Sequence, residues 1–336
     1  MNLQPRINNP TSVTRREVDA ILARGWKPTI QFAQSGAPSR LLRDVNDLAR
    51  HYGDRLEVRF YGHYGEVFDA AVLAHLPDVQ HLSVDCLTHI RNARKIGDLA
   101  KLKKLSFGVF RDEDTAILEA FPLEQLTELF VSDNLRRNLD LTPLARARNL
   151  MELRVAGHMR GLPVVAGLPH LARLSLNAIA KRQDLTFLCD APALRELSLI
   201  LGGRPSLDEF RHPGLTDLSI IRVQGLVTLG DLSRFPCLKS LVIEDQIRLA
   251  SLDLAGTALE RLVLMNCKTL TSVPGLHAQE RLREFRVART DLDLDALLAR
   301  DWPATMRILG LYSGSAKWNA AARAALDARG YKEVER

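Results

Sequence analysis

Apolar residues recur along the chain in a fixed figure, L-x-x-L-x-L, with polar or charged residues between them. It reads LKKLSF at 102–107, LTELFV at 126–131, LMELRV at 150–155, LARLSL at 171–176 and LRELSL at 194–199. It continues as LTDLSI at 215–220, LKSLVI at 238–243, LERLVL at 259–264 and LREFRV at 282–287. VQHLSV (79–84) and MRILGL (306–311) are weaker copies, and RLEVRF (55–60) fits with its first position lost. The last three letters alternate apolar, polar, apolar, the period of a strand with one buried face. Successive copies start 21 to 24 residues apart. The intervening segments carry apolar pegs of their own, as in DLTPLARARNL (140–150), GLPVVAGLPHL (161–171) and DLTFLCDAPAL (184–194). Segments this short have room for one helical turn or a 3-10 piece. EVFDAAVLAHL (66–76) and DTAILEAF (114–121) read as more fully helical.

A single repeat of this kind cannot bury its leucines. Stacked repeats pair their strands in parallel, and the first, fourth and sixth motif positions then fill one continuous core. Parallel strands require a crossover, which the intervening segments supply. With about 12 copies of this length and motif, the sequence resembles the leucine-rich repeat family over residues 55–313. The resemblance implies an α/β solenoid, a horseshoe with a parallel β-sheet on its concave face and short helices or 3-10 turns on its convex face. The ninth motif position of that family is often Asn, whose amide bonds the turn backbone in neighbouring repeats. Here it is Asn134, His158, Ile179, Gly202, Val223, Gln246, Cys267 and Thr290, so less regular turns are expected.

The two ends of a solenoid need covers. Residues 1–54 are expected to form an N-terminal capping region. Thr14 and Glu17 have capping-box spacing and Gly25 fits a helix stop, with Val18, Ile21 and Leu22 on one face between them. KPTIQFAQ (27–34) reads as a first edge strand with Ile30 and Phe32 inward, and a second helix is expected from Ser39 to His51, with Gly53 beyond it. Residues 314–336 are expected to form a C-terminal capping helix, stopped by Gly330, with Trp318, Ala322, Ala325 and Leu326 sharing a face.

Composition narrows the chemistry. The chain has 336 residues, 46% of them apolar, which suffices for a large core. Cys86, Cys189, Cys237 and Cys267 sit in different repeats without a C-x-x-C pair, as reduced thiols of a cytoplasmic, reducing compartment do. No stretch approaches the length of an apolar membrane span, and the first residues lack the apolar run of a signal peptide. Arg outnumbers Lys, which fits a GC-rich, bacterial genome. His81, Cys86 and His89, with Asp85, are of zinc-ligand type, but His81 and Cys86 straddle a strand and no second pair follows, so no cofactor is expected. His63 and Tyr64 are candidate pocket residues that read more simply as surface. Ser175, Ser198 and Ser219 recur at the fifth position, and their period marks them as exposed strand residues rather than nucleophiles. The net charge of +6 raises nucleic acid as a partner. Phosphate binding needs one sign gathered on a face, whereas signs mix here: Arg195 beside Glu196, Glu260 beside Arg261, Arg283 beside Glu284.

The outward positions carry the functional expectation. LSLILGG (197–203) and LSIIRVQ (218–224) each place Ile where alternation asks for a polar residue. With the fifth, seventh and eighth positions facing the concave side, Ile200, Leu201, Ile221, Val242, Val263 and Met265 form an apolar stripe, with Arg222, Glu244 and Asp245 at its rim. Such a patch suits a protein partner. A monomeric, non-catalytic protein-binding module is therefore expected. Two settings suit it: an effector delivered into a host, with which the polar first fourteen residues are compatible as a non-classical secretion signal, or a resident immunity or regulatory protein. An enzyme with a loop-built site is the remaining alternative.

Overall fold

The computed structural model describes residues 5–33, 36–62, 67–111, 114–132, 138–178, 180–181 and 183–333. The chain divides into two compact units, residues 1–171 and 172–336. His63, Tyr64, Asn134 and Ile179 lie outside the described residues.

The first unit contains strands β1 (Arg6–Asn8), β2 (Thr29–Phe32), β3 (Glu57–Tyr61), β4 (Val67–Asp69), β5 (His81–Leu87), β6 (His89–Arg91), β7 (Lys104–Val109), β8 (Glu128–Val131) and β9 (Glu152–Ala156). All except β4 and β6 join one parallel sheet in sequence order. β4 and β6 pair separately, also in parallel. In the second unit β10 (Arg173–Asn177), β11 (Glu196–Ile200), β12 (Asp217–Ile221), β13 (Ser240–Glu244), β14 (Arg261–Met265), β15 (Glu284–Ala288) and β16 (Ile308–Tyr312) follow the same rule. This is the leucine-rich repeat architecture of parallel strands and short crossovers.

The register is the one the motif implies. Leu174, Leu197, Leu218, Leu241, Leu262, Phe285 and Leu309 lie side by side across β10–β16. Within one repeat, Leu215, Leu218 and Ile220 are all fully buried. A one-residue slip would turn every one of these side chains to solvent, so burial specifies the pairing.

The crossovers correct one expectation. The segments expected to be more fully helical, 66–76 and 114–121, hold 3-10 helices at Ala70–His75 and Ile117–Ala120, residue 66 lying outside the described residues. The buried pegs Ala70, Leu73 and Leu76 recur every three residues, the period of a 3-10 helix. Neighbouring strands are only about 4.8 Å apart, whereas an α-helix with its side chains is about 10 Å across. The 3-10 crossovers are narrower than the α-helical ones that join β2 to β3 and β15 to β16.

The turn after strands β10 to β15 is uniform despite its varied sequence. Ala178, Leu201, Arg222, Asp245, Asn266 and Arg289, at the eighth motif position, all have φ between 52° and 59°. Their N–H groups extend the ladder: Leu201 donates to Ile221 O at 2.8 Å, Arg222 to Glu244 O at 2.9 Å and Asp245 to Met265 O at 2.9 Å. Each left-handed residue costs roughly 1–2 kcal/mol when it is not glycine. The reversal it produces brings the ninth side chain inward, where Val223, Gln246 and Cys267 are buried. The expected loss of regularity does not follow, because other residues take over the role of the missing Asn. His158 accepts from Leu139 N–H through Nδ1 at 3.2 Å and meets Ser132 O through Nε2 at 2.9 Å. Gln246 Nε2 donates to Glu244 O at 2.8 Å, and the Cys267 thiol lies 3.4 Å from Met265 O.

In the N-terminal region, helix α1 (Arg15–Leu22) carries the Thr14–Glu17 capping box and buries Val18. β2 buries Ile30 and Phe32, but it is not the edge, since β1 pairs outside it. Helix α2 (Ser39–Tyr52) ends at Gly53, whose φ is 61°. Asp78 ties α2 to the repeats: Asn46 Nδ2 donates to its carboxylate at 2.9 Å and Arg50 Nε at 2.8 Å. Lys101, Asn46 and Arg50 together hold that carboxyl well below its usual range. At the other end, after helix α3 (Leu294–Ala299) in the last crossover, helix α4 (Ala316–Ala328) is capped by Ser315 and buries Ala322 and Leu326. Ala325 is exposed, so the packed face is narrower than the sequence pattern suggests. Beyond Gly330 the chain returns to the sheet edge: Lys332 N–H donates to Arg307 O at 2.9 Å, and Leu309 N–H to Lys332 O at 3.2 Å.

Candidate functional site

The outward face of β11–β14 carries the residues singled out in the sequence. Ser198, Ser219, Val242 and Val263 align at the fifth motif position, and Ile200, Ile221, Glu244 and Met265 at the seventh. Ile200, Ile221, Val242, Glu244 and Met265 are half-buried. An outward side chain in the middle of a sheet keeps that intermediate exposure because its lateral neighbours cover its flanks. Leu201 is 39% exposed and Arg222 is exposed. Both sit on the left-handed turn rather than on the strand, and they border the stripe instead of filling it. Arg222 pairs with Asp245 at 2.6 Å. Asn266 also bonds the Asp245 carboxylate, and these two partners hold it below its usual range. Val263 is only 7% exposed. Val242 and Arg286 flank it at the same register and shield it, so it supports the stripe from below and offers little contact area.

The first unit presents a different face, which sequence reasoning missed. Its third motif positions are Glu57, His81, Lys104, Glu128 and Glu152, and they meet as a polar cluster around a cavity of about 190 Å³. Lys27 Nζ lies 3.5 Å from Glu57 and 3.2 Å from His81 Nε2. Thr29 Oγ1 and Ser83 Oγ donate to Glu57. Lys104 reaches Glu128 at 2.9 Å and Asp54 at 3.3 Å. Arg154 pairs with Glu152. Burial works against charge on Glu57, but the surrounding cations and hydroxyl donors hold its carboxyl below the usual range. Further along the same face Arg59 bonds Asp85 at 2.8 Å and Gln31 at 3.0 Å. The legible signal was the third-position column, where Glu, His and Lys recur in consecutive repeats.

His81 gives this cluster a pH dependence. It is 6% exposed, and burial beside Lys27 pushes its pKa down to about 4 from 6.5. Between these values the unfolded chain binds a proton that the folded chain refuses. Stability is therefore expected to fall as pH drops through 6.5 towards 4. The loss is at most about 3–4 kcal/mol, since each pKa unit corresponds to about 1.4 kcal/mol. Thermal melts at neutral pH and near the lower limit, for the wild type and His81→Asn, check this: the difference between the two proteins should shrink as the pH falls.

Among the described residues the polar groups of this cluster pair chiefly with one another. Among the described residues no group of three or more His, Cys, Asp or Glu is placed to hold a metal ion. Asp85 is engaged by Arg59, and His81 faces Lys27. Burial, with Asp85 adjacent, pushes the Cys86 thiol up, and burial takes Cys267 to about 11. Neither thiol is poised as a nucleophile, which requires a lowered pKa. Among the described residues no helix is long and apolar enough to cross a membrane.

No protein-family model matches the chain, and none of the curated proteins matches it in sequence. Solved structures do match in shape. An internalin of Listeria monocytogenes aligns with a TM-score of 0.50 at 14% identity, over 89% of this chain and 94% of that one. The glycosylated Toll–Spatzle complex of Drosophila aligns with a TM-score of 0.49 at 16% identity, over 91% of this chain and 51% of that one. A Leptospira interrogans leucine-rich repeat protein aligns with a TM-score of 0.31 at 14% identity, over 90% of this chain and 93% of that one. The likeness to the internalin is one of fold.

Proposed function

We propose that this leucine-rich repeat chain is a non-catalytic interaction module that binds a protein partner on the outward face of β11–β14. Ile200, Ile221, Val242 and Met265 supply the contact, Leu201, Arg222 and Glu244 border it, and Val263 supports it from beneath. One observation carries this reading. The inward positions of these strands are already filled by leucine and isoleucine, yet apolar side chains also occupy the outward positions of consecutive repeats, where folding does not require them. Apolar residues at the centre of an interface commonly cost more than about 1 kcal/mol of binding when truncated.

The test is a double variant, Ile200→Ser with Ile221→Ser, which extends the serine surface of Ser198 and Ser219. Its circular dichroism and melting are expected to stay close to wild type, because both side chains are already partly in water. A partner captured by the wild-type chain and identified by mass spectrometry is expected to bind the variant at least about tenfold more weakly, or about 1.4 kcal/mol. Arg283→Ala, at an exposed second motif position, is the control and should leave affinity unchanged. Unchanged affinity in the double variant would place the interface elsewhere.

A further inference from the structure

The third motif position forms a column across the sheet, and its charges are mostly neutralised. Lys104 pairs with Glu128, and Arg261 with Glu284. Glu128 and Glu152 are two acids side by side, and each has its own cation, Lys104 and Arg154. β11 and β12 break this rule. Glu196 and Asp217 are direct neighbours across the ladder. Their fifth positions hold Ser198 and Ser219, where β9 supplies Arg154. Arg173 shares the register of Glu196 on β10. Among the described residues no cation pairs with Glu196 or Asp217, and Asp217 accepts only the Thr216 hydroxyl. Glu244, beside Ile221, likewise has no ion partner among them.

Like charges directly opposed on a sheet are destabilising. Here three uncompensated carboxylates surround the apolar stripe. On β11–β13 the third, fifth, seventh and eighth positions carry Glu196, Asp217, Glu244 and Asp245 against one cation, Arg222, in a chain whose net charge is +6. The acid pair lies four residues from Ile200 and Ile221 along the strands, about 13 Å. Three strands span about 10 Å in the other direction, the width of one helix or one extended segment.

We propose that this face receives a cationic, amphipathic segment of a protein partner. Lys or Arg side chains of the segment lie over Glu196 and Asp217, a further cation meets Glu244, and apolar side chains rest on Ile200, Ile221 and Val242. This rests on the reading of the face as a protein-binding surface and adds the chemistry of the partner. Charge complementarity of this kind selects partners and speeds encounter.

Three synthetic peptides of one length test it: lysine with leucine, glutamate with leucine, and lysine with serine. The lysine–leucine peptide is expected to bind the full chain, and the other two at least about tenfold more weakly. The variant Glu196→Gln, Asp217→Asn, Glu244→Gln is expected to lose at least about tenfold in affinity for the lysine–leucine peptide at low salt, with the difference shrinking as salt is added. The same variant is expected to melt above the wild type, because it relieves repulsion in the free chain. A lower melting temperature would show that the carboxylates have structural partners and would overturn the proposal. So would equal binding of the neutralised variant, equal binding of the glutamate–leucine or lysine–serine peptide, or no binding of the lysine–leucine peptide. Loss of binding in Ile200→Ser with Ile221→Ser but not in the neutralised variant would sink the cationic segment and leave the face intact. No loss in either would sink both.

Discussion

Leu218→Ala is expected to lower the unfolding free energy by about 2–5 kcal/mol. Leu218 is fully buried, with Leu197 and Leu241 beside it at the same register. Removing its three outer carbons loses their transfer free energy and leaves a cavity. The repeats on either side cannot close the gap, because backbone ladders hold the strands at fixed spacing. Cavities that cannot collapse lie at the costly end of the range. The neighbouring change Ser219→Ala, on the outward face, is expected to stay within about 0.5 kcal/mol. Urea unfolding of the two variants side by side gives the comparison. Equal stability of Leu218→Ala and wild type would contradict the placement of the fourth motif position in the core.

Removal of residues 315–336 is expected to be comparably costly. Leu309 and Leu311 of β16 are 1% and 4% exposed, and α4 covers them with Ala322 and Leu326. Exposing a large apolar side chain costs about 1.5–3 kcal/mol, so opening the two leucines alone costs about 3–6 kcal/mol. The deletion also strips Lys332 from the backbone of β16 and leaves a bare strand edge, the kind of surface on which other chains pair. The shortened protein should therefore melt earlier and associate, visible as a lower melting temperature together with a larger hydrodynamic size. A truncated chain that melts and sediments like the full one would show that α4 does not protect the last repeat.

Much of this architecture is legible in the sequence because its information is periodic. The first, fourth and sixth positions of LTDLSI specify which side of the strand Leu218 faces, and the repeat length specifies that Leu197 and Leu241 lie beside it. The capping box at Thr14 and Glu17 is equally local, since both partners lie within one helical turn. The apolar character of Ile200 and Ile221 at outward positions follows from the same alternation. How far each stripe residue is covered does not. Ile221 and Val263 look alike as apolar outward residues, but Val263, flanked by Val242 and Arg286 at the same register, is buried.

The sequence by itself determined the repeat, the register and the inward face, because each depends on spacing along the chain and on the transfer of apolar side chains out of water. Only the tertiary structure decided how the crossovers wind: Ala70–His75 and Ile117–Ala120 take 3-10 turns where the sequence favours fuller helices locally. It also decided that Leu201, Arg222 and Asp245 adopt the same left-handed turn although none is glycine, because the next strand's carbonyl awaits each N–H. Above all it decided which charges find partners. Lys104 and Glu128 are 24 residues apart in the chain and 2.9 Å apart in space, whereas Glu196 and Asp217 meet each other across the ladder with no cation between them. Electrostatic energy depends on distance through space, and stacking converts one repeat of sequence into one strand spacing.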